Sequence, residues 1–227
     1  MIHWLSQPAS ALPPHAETLL SPAEAATYAA LKAPKRRSDW LLGRITAKQL
    51  VAEYLGSTGS APSLNAIVIA ADPDGAPYAS MHGARLPLSL SISHSHDTAL
   101  CALVDAAGKT VGCDIEYIEA RDAAFLSDFF TPAEQVAALA WPEPHTATTL
   151  LWSAKEAVLK ALREGLRIDT KQVQITLPNA LDDEWATLGI ALDPALAQRF
   201  PGAWSAWARR SGDFVQTMAL CAAADAP

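Results

Sequence analysis

Thr131-Pro132-Ala133-Glu134 echoes Ser21-Pro22-Ala23-Glu24, and the reading of the fold starts from that echo. Each stretch has a hydroxyl able to cap a helix, a proline suited to the first helical position, and a glutamate three residues after the cap. These are two helix starts of one design. Downstream of the first comes Trp40-Leu41-Leu42-Gly43-Arg44-Ile45-Thr46-Ala47-Lys48-Gln49-Leu50. Downstream of the second comes Trp152-Ser153-Ala154-Lys155-Glu156-Ala157-Val158-Leu159-Lys160-Ala161-Leu162. Setting Trp40 on Trp152 puts Lys48 on Lys160 and Leu50 on Leu162. Each half then offers a β-like stretch, Ala66–Ala70 and Val173–Leu177, followed by a second one, Thr98–Ala102 and Thr217–Cys221.

A repeat of half the chain implies an α/β (α+β) protein of two similar lobes related by a pseudo-twofold axis, each a small sheet packed with helices. The boundary is read at Asp105-Ala106-Ala107-Gly108-Lys109, a turn-forming run flanked by apolar strands, which gives an N-terminal lobe at 1–107 and a C-terminal lobe at 108–227. The flanking strands read as a hairpin. The segments 72–87 and 141–145 read as surface loops, and Ala224–Pro227 as a frayed tail.

Half of the 227 residues are hydrophobic, enough for one large core or two smaller ones. The three cysteines, Cys101, Cys113 and Cys221, are an odd number without a CxxC pair, which fits a reducing compartment. The N-terminal Met-Ile-His-Trp-Leu-Ser lacks the basic and apolar regions of a signal peptide, and no 18-residue apolar stretch is present. The expectation is a cytoplasmic protein with no membrane association. Lys+Arg 17 against Asp+Glu 24 gives a net charge of −7, which argues against a nucleic-acid partner. Phosphate would have to be met locally, and Lys32, Lys35, Arg36, Arg37 and Arg44 form the best basic cluster for it; a solvated helix face is the plainer account of that run.

In Val111-Gly112-Cys113-Asp114-Ile115-Glu116-Tyr117-Ile118 the two acids are one residue apart, so a strand points both carboxylates to the same side. Among apolar neighbours they repel and resist desolvation, a conflict that a cation resolves and a wet edge strand avoids. Oxygen ligands suit Mg²⁺, which completes its shell with water and phosphate oxygens. On the helix read at Thr148–Glu164, Glu156 and Lys160 share a face, either as an exposed i,i+4 pair or as a third carboxylate and a phosphate-neutralising cation. Leu90-Ser91-Ile92-Ser93-His94-Ser95-His96-Asp97 runs from a strand end into a turn that can hold phosphate oxygens, cap a turn, supply an H-x-H metal pair or offer a serine nucleophile; it lacks the third zinc ligand and the G-x-S-x-G elbow.

Taken in order, Ser93-His94, then Val111-Gly112-Cys113-Asp114-Ile115-Glu116, then Trp152-Ser153-Ala154-Lys155-Glu156-Ala157-Val158-Leu159-Lys160 resemble the signatures of the Sfp-type phosphopantetheinyl transferases. The resemblance implies transfer of the phosphopantetheine arm of coenzyme A to a serine of an acyl, peptidyl or aryl carrier protein, with coenzyme A and Mg²⁺ in a cleft between the two lobes. It implies that Asp114, Glu116 and Glu156 are magnesium ligands, that Glu156 and Lys160 are catalytic, and that Arg37, Arg44, Ser93, His94, Lys155 and Lys160 contact coenzyme A. A full cleft in one chain makes a monomer the simpler expectation. The chain departs from the family at Gly75-Ala76-Pro77, where many members carry Gly-Lys-Pro, and at Ser91, where many carry Asn. Those departures touch coenzyme contacts and leave the proposed metal ligands in place. The segment from Asp122 to Pro144, with Phe125, Phe129, Phe130 and Trp141, is a candidate for carrier docking or for core.

Overall fold

The computed structural model describes residues 1–57 and 59–223; the stretch read as a frayed tail lies outside them. The chain divides into two compact units, Met1–Ala107 and the part from Gly108 on. The first contains β1 (His3–Pro8), α1 (Pro22–Ala30), α2 (Pro34–Gly56), β2 (Ile67–Ala71), β3 (Pro77–Met81), β4 (Ala84–Arg85), β5 (Leu88–Ser95) and β6 (Thr98–Asp105). The second contains β7 (Lys109–Tyr117), α3 (Ala123–Phe129), α4 (Pro132–Ala140), α5 (Pro144–Leu162), β8 (Val173–Thr176), β9 (Ala186–Leu192), α6 (Pro194–Arg199), β10 (Ala203–Ser211) and β11 (Phe214–Ala222).

In the second unit the strands form one antiparallel sheet in the order β7-β11-β10-β9-β8. The first unit repeats that order in two pieces, β1-β6-β5 and β2-β3-β4, with the Leu86 N–H donating to the Ala79 carbonyl beside β3. The long helix of each unit lies on its sheet: α2 buries Ala47, Leu50 and Val51 in a core with Ile67, Ile69, Cys101 and Leu103, and α5 buries Leu150, Leu151, Val158 and Leu159 with Val173, Ile175, Val215 and Ala219. Two α+β units of matching element order are what the duplicated sequence implies.

Both capping boxes form. Ser21 and Thr131 accept from the N–H groups of Glu24 and Glu134, and each glutamate accepts in return from the cap N–H. Each of these glutamates also does something unforeseen. Glu24 Oε2 pairs with Lys48 Nζ at 2.6 Å while its Oε1 accepts from Ile69 N–H, and Glu134 Oε2 pairs with Lys155 Nζ at 3.0 Å while its Oε1 accepts from Ile175 N–H. Both lysines are fully buried. The structural equivalent of Lys48 is therefore Lys155, not Lys160. Aligning the tryptophans puts the helices out of register because Trp40 and Trp152 do not occupy equivalent places.

Three further expectations change. Thr98–Asp105 pairs with β1 and β5, and β7 pairs with β11, so the turn at 105–109 is a passage between sheets rather than a hairpin. Segment 72–87 contains β3 and β4, whose single fully buried residue, Ala79, is too little to register as a strand against their Pro and Gly neighbours. Helix α5 begins at Pro144, inside the stretch read as a loop. Phe130 is wholly buried, and Phe125, Phe129 and Trp141 pack on the same core, so these aromatics serve the interior first.

Candidate functional site

The site in the second unit begins with a glycine. On β7 the residues Gly112, Asp114 and Glu116 alternate onto one face. A Cβ at Gly112 would stand 1.9 Å from the Ala157 carbonyl oxygen and 2.7 Å from the Ala161 nitrogen. The strand and the backbone of α5 thus touch directly, with Ala157 and Ala161 as the smooth contact surface. That approach brings the face carrying Asp114 and Glu116 to the turn of α5 that carries Glu156 and Lys160.

Lys160 Nζ donates to Asp114 Oδ1 at 2.7 Å and to the Cys113 carbonyl at 3.1 Å. Trp152, one turn before Glu156, donates its indole N–H to Glu116 Oε1 at 3.1 Å, and its ring is wedged against Phe125 and Phe129 at 5.2 and 4.8 Å. Arg121 reaches Glu116 at 3.6 Å and Glu119 at 3.0 Å while lying over the Phe125 ring. Ser153 and Thr217 exchange a hydroxyl contact at 2.9 Å, tying α5 to β11 at the residue paired with Asp114. The supporting roles of Gly112, Trp152 and Arg121 were not assigned from sequence. Period-two placement of Gly112 with the two acids is the signal that identifies the first of them.

The electrostatics of this group are those of crowded acids. Burial, then the neighbouring Asp114 charge, pushes the Glu116 carboxyl up to about 7, against the indole bond and the Arg121 and Lys160 charges. Burial likewise raises Glu156, with Lys160 opposing and Asp114 adding to the rise. Burial disfavours the Lys160 ammonium, yet Asp114 by charge and hydrogen bond leaves its pKa above the ordinary lysine value. Glu116, Glu156 and Lys160 thus all feel the Asp114 charge.

Among the described residues no group of three or more His, Cys, Asp or Glu side chains stands arranged to hold a metal ion, and Asp114 Oδ1 is paired with Lys160 at 2.7 Å. The chemistry of the donors nevertheless fits a hard divalent cation. All are carboxylate oxygens, and Glu156 Oε1 is buried without a hydrogen-bond partner. Two carboxyls whose protonation is favoured by burial, with the Asp114 charge adding to it, are also groups that a cation would return to the ionised state.

Lys155 stands apart from its expected contact with coenzyme A. Its side chain is 0% exposed, and its three ammonium hydrogens are directed to Glu134 Oε2, the Thr170 carbonyl at 2.9 Å and the Val173 carbonyl at 2.5 Å. No donor remains to meet a phosphate. The motif lysine available at the site is Lys160.

In the first unit, Arg37 lies over the Tyr28 ring at 4.1 Å and Arg44 over the Trp40 ring at 4.8 Å. Arg44 Nε is buried with no hydrogen-bond partner. Ser93 is buried on β5, and His94, half exposed, faces Asp39 at 4.0 Å. His94 lines a cavity of about 510 Å³ with Lys35, Arg36, Asp39 and Trp40, where Lys35 Nζ bridges Asp39 at 2.7 Å and Asp97 at 2.9 Å. The structure thus adds Lys35 and Arg36 to the surroundings of His94, while Arg37, Arg44 and Ser93 lie outside the lining of that cavity. His96 sits in the β5–β6 turn at positive φ, bonded to Ser95, so the H-x-H pair is part of a tight turn.

Residues 110–182, from the strand bearing the acids through the helix bearing Glu156, match the family model of the 4′-phosphopantetheinyl transferase superfamily. The holo-[acyl-carrier-protein] synthase of Geobacillus kaustophilus (strain HTA426) is 36% identical over 89 residues, which cover 39% of this chain and 68% of that protein. The synthase of Geobacillus sp. (strain WCH70) is 35% identical over 72 residues, 31% of this chain and 60% of its own length. Solved structures similar to the chain include the holo-[acyl-carrier-protein] synthase of Helicobacter pylori in complex with coenzyme A, 21% identical, covering 48% of this chain and 97% of that one, with a TM-score of 0.41. The Neisseria meningitidis synthase is 19% identical, covering 49% and 95%, with a TM-score of 0.42. The chain belongs to the 4′-phosphopantetheinyl transferase superfamily.

Proposed function

We propose that this protein is a phosphopantetheinyl transferase of the Sfp type, which moves the phosphopantetheine arm of coenzyme A to a serine hydroxyl of an apo carrier protein and releases 3′,5′-ADP. The observation that carries the reading is the apposition of Asp114, Glu116, Glu156 and Lys160 within the segment that matches the superfamily. Asp114, Glu116 and Glu156 would hold Mg²⁺, and Arg37, Arg44, Ser93 and His94 would contact coenzyme A. When bound, the cation supplies charge neutralisation at the pyrophosphate.

In the transfer the carrier serine Oγ forms a bond to the β-phosphorus as the bond to the bridging pyrophosphate oxygen breaks. Glu156, half-buried and raised in pKa, accepts the serine proton directly or through water. Lys160, held at the site by Asp114, is placed to neutralise charge on the departing 3′,5′-ADP. A cytoplasmic location and monomeric state belong to the same reading, and no helix among the described residues is long and apolar enough to cross a membrane.

The test is the intact mass of a purified apo carrier after incubation with the protein, coenzyme A and Mg²⁺, beside an EDTA control and a carrier lacking its serine. Gain of one phosphopantetheine that vanishes in both controls supports the reading. Cleavage of coenzyme A without labelling would make the protein a hydrolase instead.

A further inference from the structure

The buried ion pair of the second unit has a twin that lacks the chemistry beside it. Lys48 and Lys155 are equivalent: each meets the capping-box glutamate of the preceding short helix and two backbone carbonyls, Leu19 and Leu64 for Lys48, Thr170 and Val173 for Lys155. The residue after Lys48 is Gln49, whose amide oxygen accepts from Gln7 at 2.6 Å; the residue after Lys155 is Glu156. One framework is present in both units, and only in the second does the next residue along carry a carboxylate at the site.

The framework has geometric consequences for α5. Its closest contact with β7 is the smooth meeting of Gly112 with Ala157 and Ala161, and the side-chain bonds beside it, Trp152 to Glu116 and Lys160 to Asp114 and the Cys113 carbonyl, are made by groups of the site itself. Lys155 adds a restraint from the opposite side, outside the group of acids. Its three directional bonds run to α4 through Glu134 and to the backbone at Thr170 and Val173. Successive helix residues are rotated by roughly 100° about the axis, so fixing Lys155 fixes the direction in which Glu156 leaves the helix.

We propose that the Glu134–Lys155 pair is a positioning element for the transfer reaction, setting the rotation of α5 and so the aim of Glu156 at Asp114 and Glu116, while Lys155 itself does not meet the coenzyme. The inference rests on the role proposed above for Glu156. It predicts that the two equivalent pairs differ in function while resembling each other in stability.

The full-length chain is compared with two neutralised variants, Glu134→Gln/Lys155→Met and Glu24→Gln/Lys48→Met. Thermal unfolding, steady-state transfer kinetics at a temperature where all three are folded, and Mn²⁺ affinity by electron paramagnetic resonance are measured on each. Both variants are expected to change in melting temperature. Only Glu134→Gln/Lys155→Met is expected to lose kcat, by about 10–100-fold, the range seen when residues that orient ligands are removed. Its KM for coenzyme A should stay within about threefold and its Mn²⁺ affinity should fall. Parental kcat and Mn²⁺ affinity in that variant, or an equal loss of kcat in the Lys48 variant, would overturn the proposal. If the parent labels no carrier, the transferase reading fails on its own and the Mn²⁺ comparison decides the positioning role. Should the double variant not fold, Glu134→Gln alone, which keeps an oxygen for the Ile175 or Thr131 N–H, carries the same comparison.

Discussion

Glu156 combines partial burial, a buried oxygen without a hydrogen-bond partner and a neighbouring lysine, a setting that suits the proposed proton acceptor better than a passive surface role. Glu156→Gln keeps the shape and removes the charge. Turnover in the carrier assay should drop by about two to four orders of magnitude, as for loss of a positioned acid-base group, while coenzyme A binding by calorimetry persists. Near-parental turnover would take Glu156 out of the mechanism. Glu116 makes a prediction about stability. Its carboxyl is raised from 4.5 to about 7 in the folded protein, so between those values the folded state binds more protons than the unfolded one. Stability of the metal-free protein therefore falls as pH rises through that window, and the whole penalty is present above it. Glu116→Gln should stabilise the EDTA-treated protein at pH 8, on the order of 2 kcal/mol, and have little effect near pH 4. Equal melting temperatures of parent and variant at pH 8 would contradict the desolvation account.

At the scale of elements, the site depends on how closely one strand and one helix approach. Gly112→Ala inserts a methyl where the Ala157 carbonyl already stands, so α5 must move off β7. A loss of about 1–3 kcal/mol in unfolding free energy is expected, the usual cost of overpacking, together with a fall in kcat larger than the change in coenzyme A affinity. An unaltered melt and turnover would show that the helix is not held by that contact. Much of this element structure is legible in the sequence. The two capping boxes, the i,i+2 acids of β7 and the i,i+4 pair of α5 rest on local periodicity and lie where the residues imply. What escapes is non-local. Lys155 enters the expected site only through the family resemblance, as a motif lysine, and only the fold shows that its ammonium is consumed by Glu134 and two carbonyls. The register of the repeat differs for the same reason: the tryptophans are the conspicuous match between the halves, whereas the structural constant is the buried lysine, Lys48 in one unit and Lys155 in the other. Strands β3 and β4 escape because their Pro, Gly and Asp neighbours carry stronger turn signals than five or fewer residues can offset.

At the scale of the whole molecule, the Geobacillus kaustophilus relative is about 130 residues long, since 89 matched residues are 68% of it, close to the size of one unit here. Every acid of the candidate site and each of its supports lies from Gly108 on. A fragment beginning at Gly108 should therefore unfold cooperatively and bind Mn²⁺ within about tenfold of the full chain, because its core is its own. It should lose most affinity for coenzyme A, whose proposed contacts Arg37, Arg44, Ser93 and His94 are left behind. A fragment without a cooperative transition would show that the second unit needs the first to fold. The paired glutamates carry a last consequence. Strands β2 and β8 are the outermost strands of their sheets, and the N–H groups of Ile69 and Ile175 are each claimed by a buried carboxylate, with the Val173 carbonyl claimed by Lys155. A strand from another molecule seeking to extend either sheet meets a charged plug in place of open hydrogen-bonding groups, which protects a half-apolar chain from edge-to-edge aggregation.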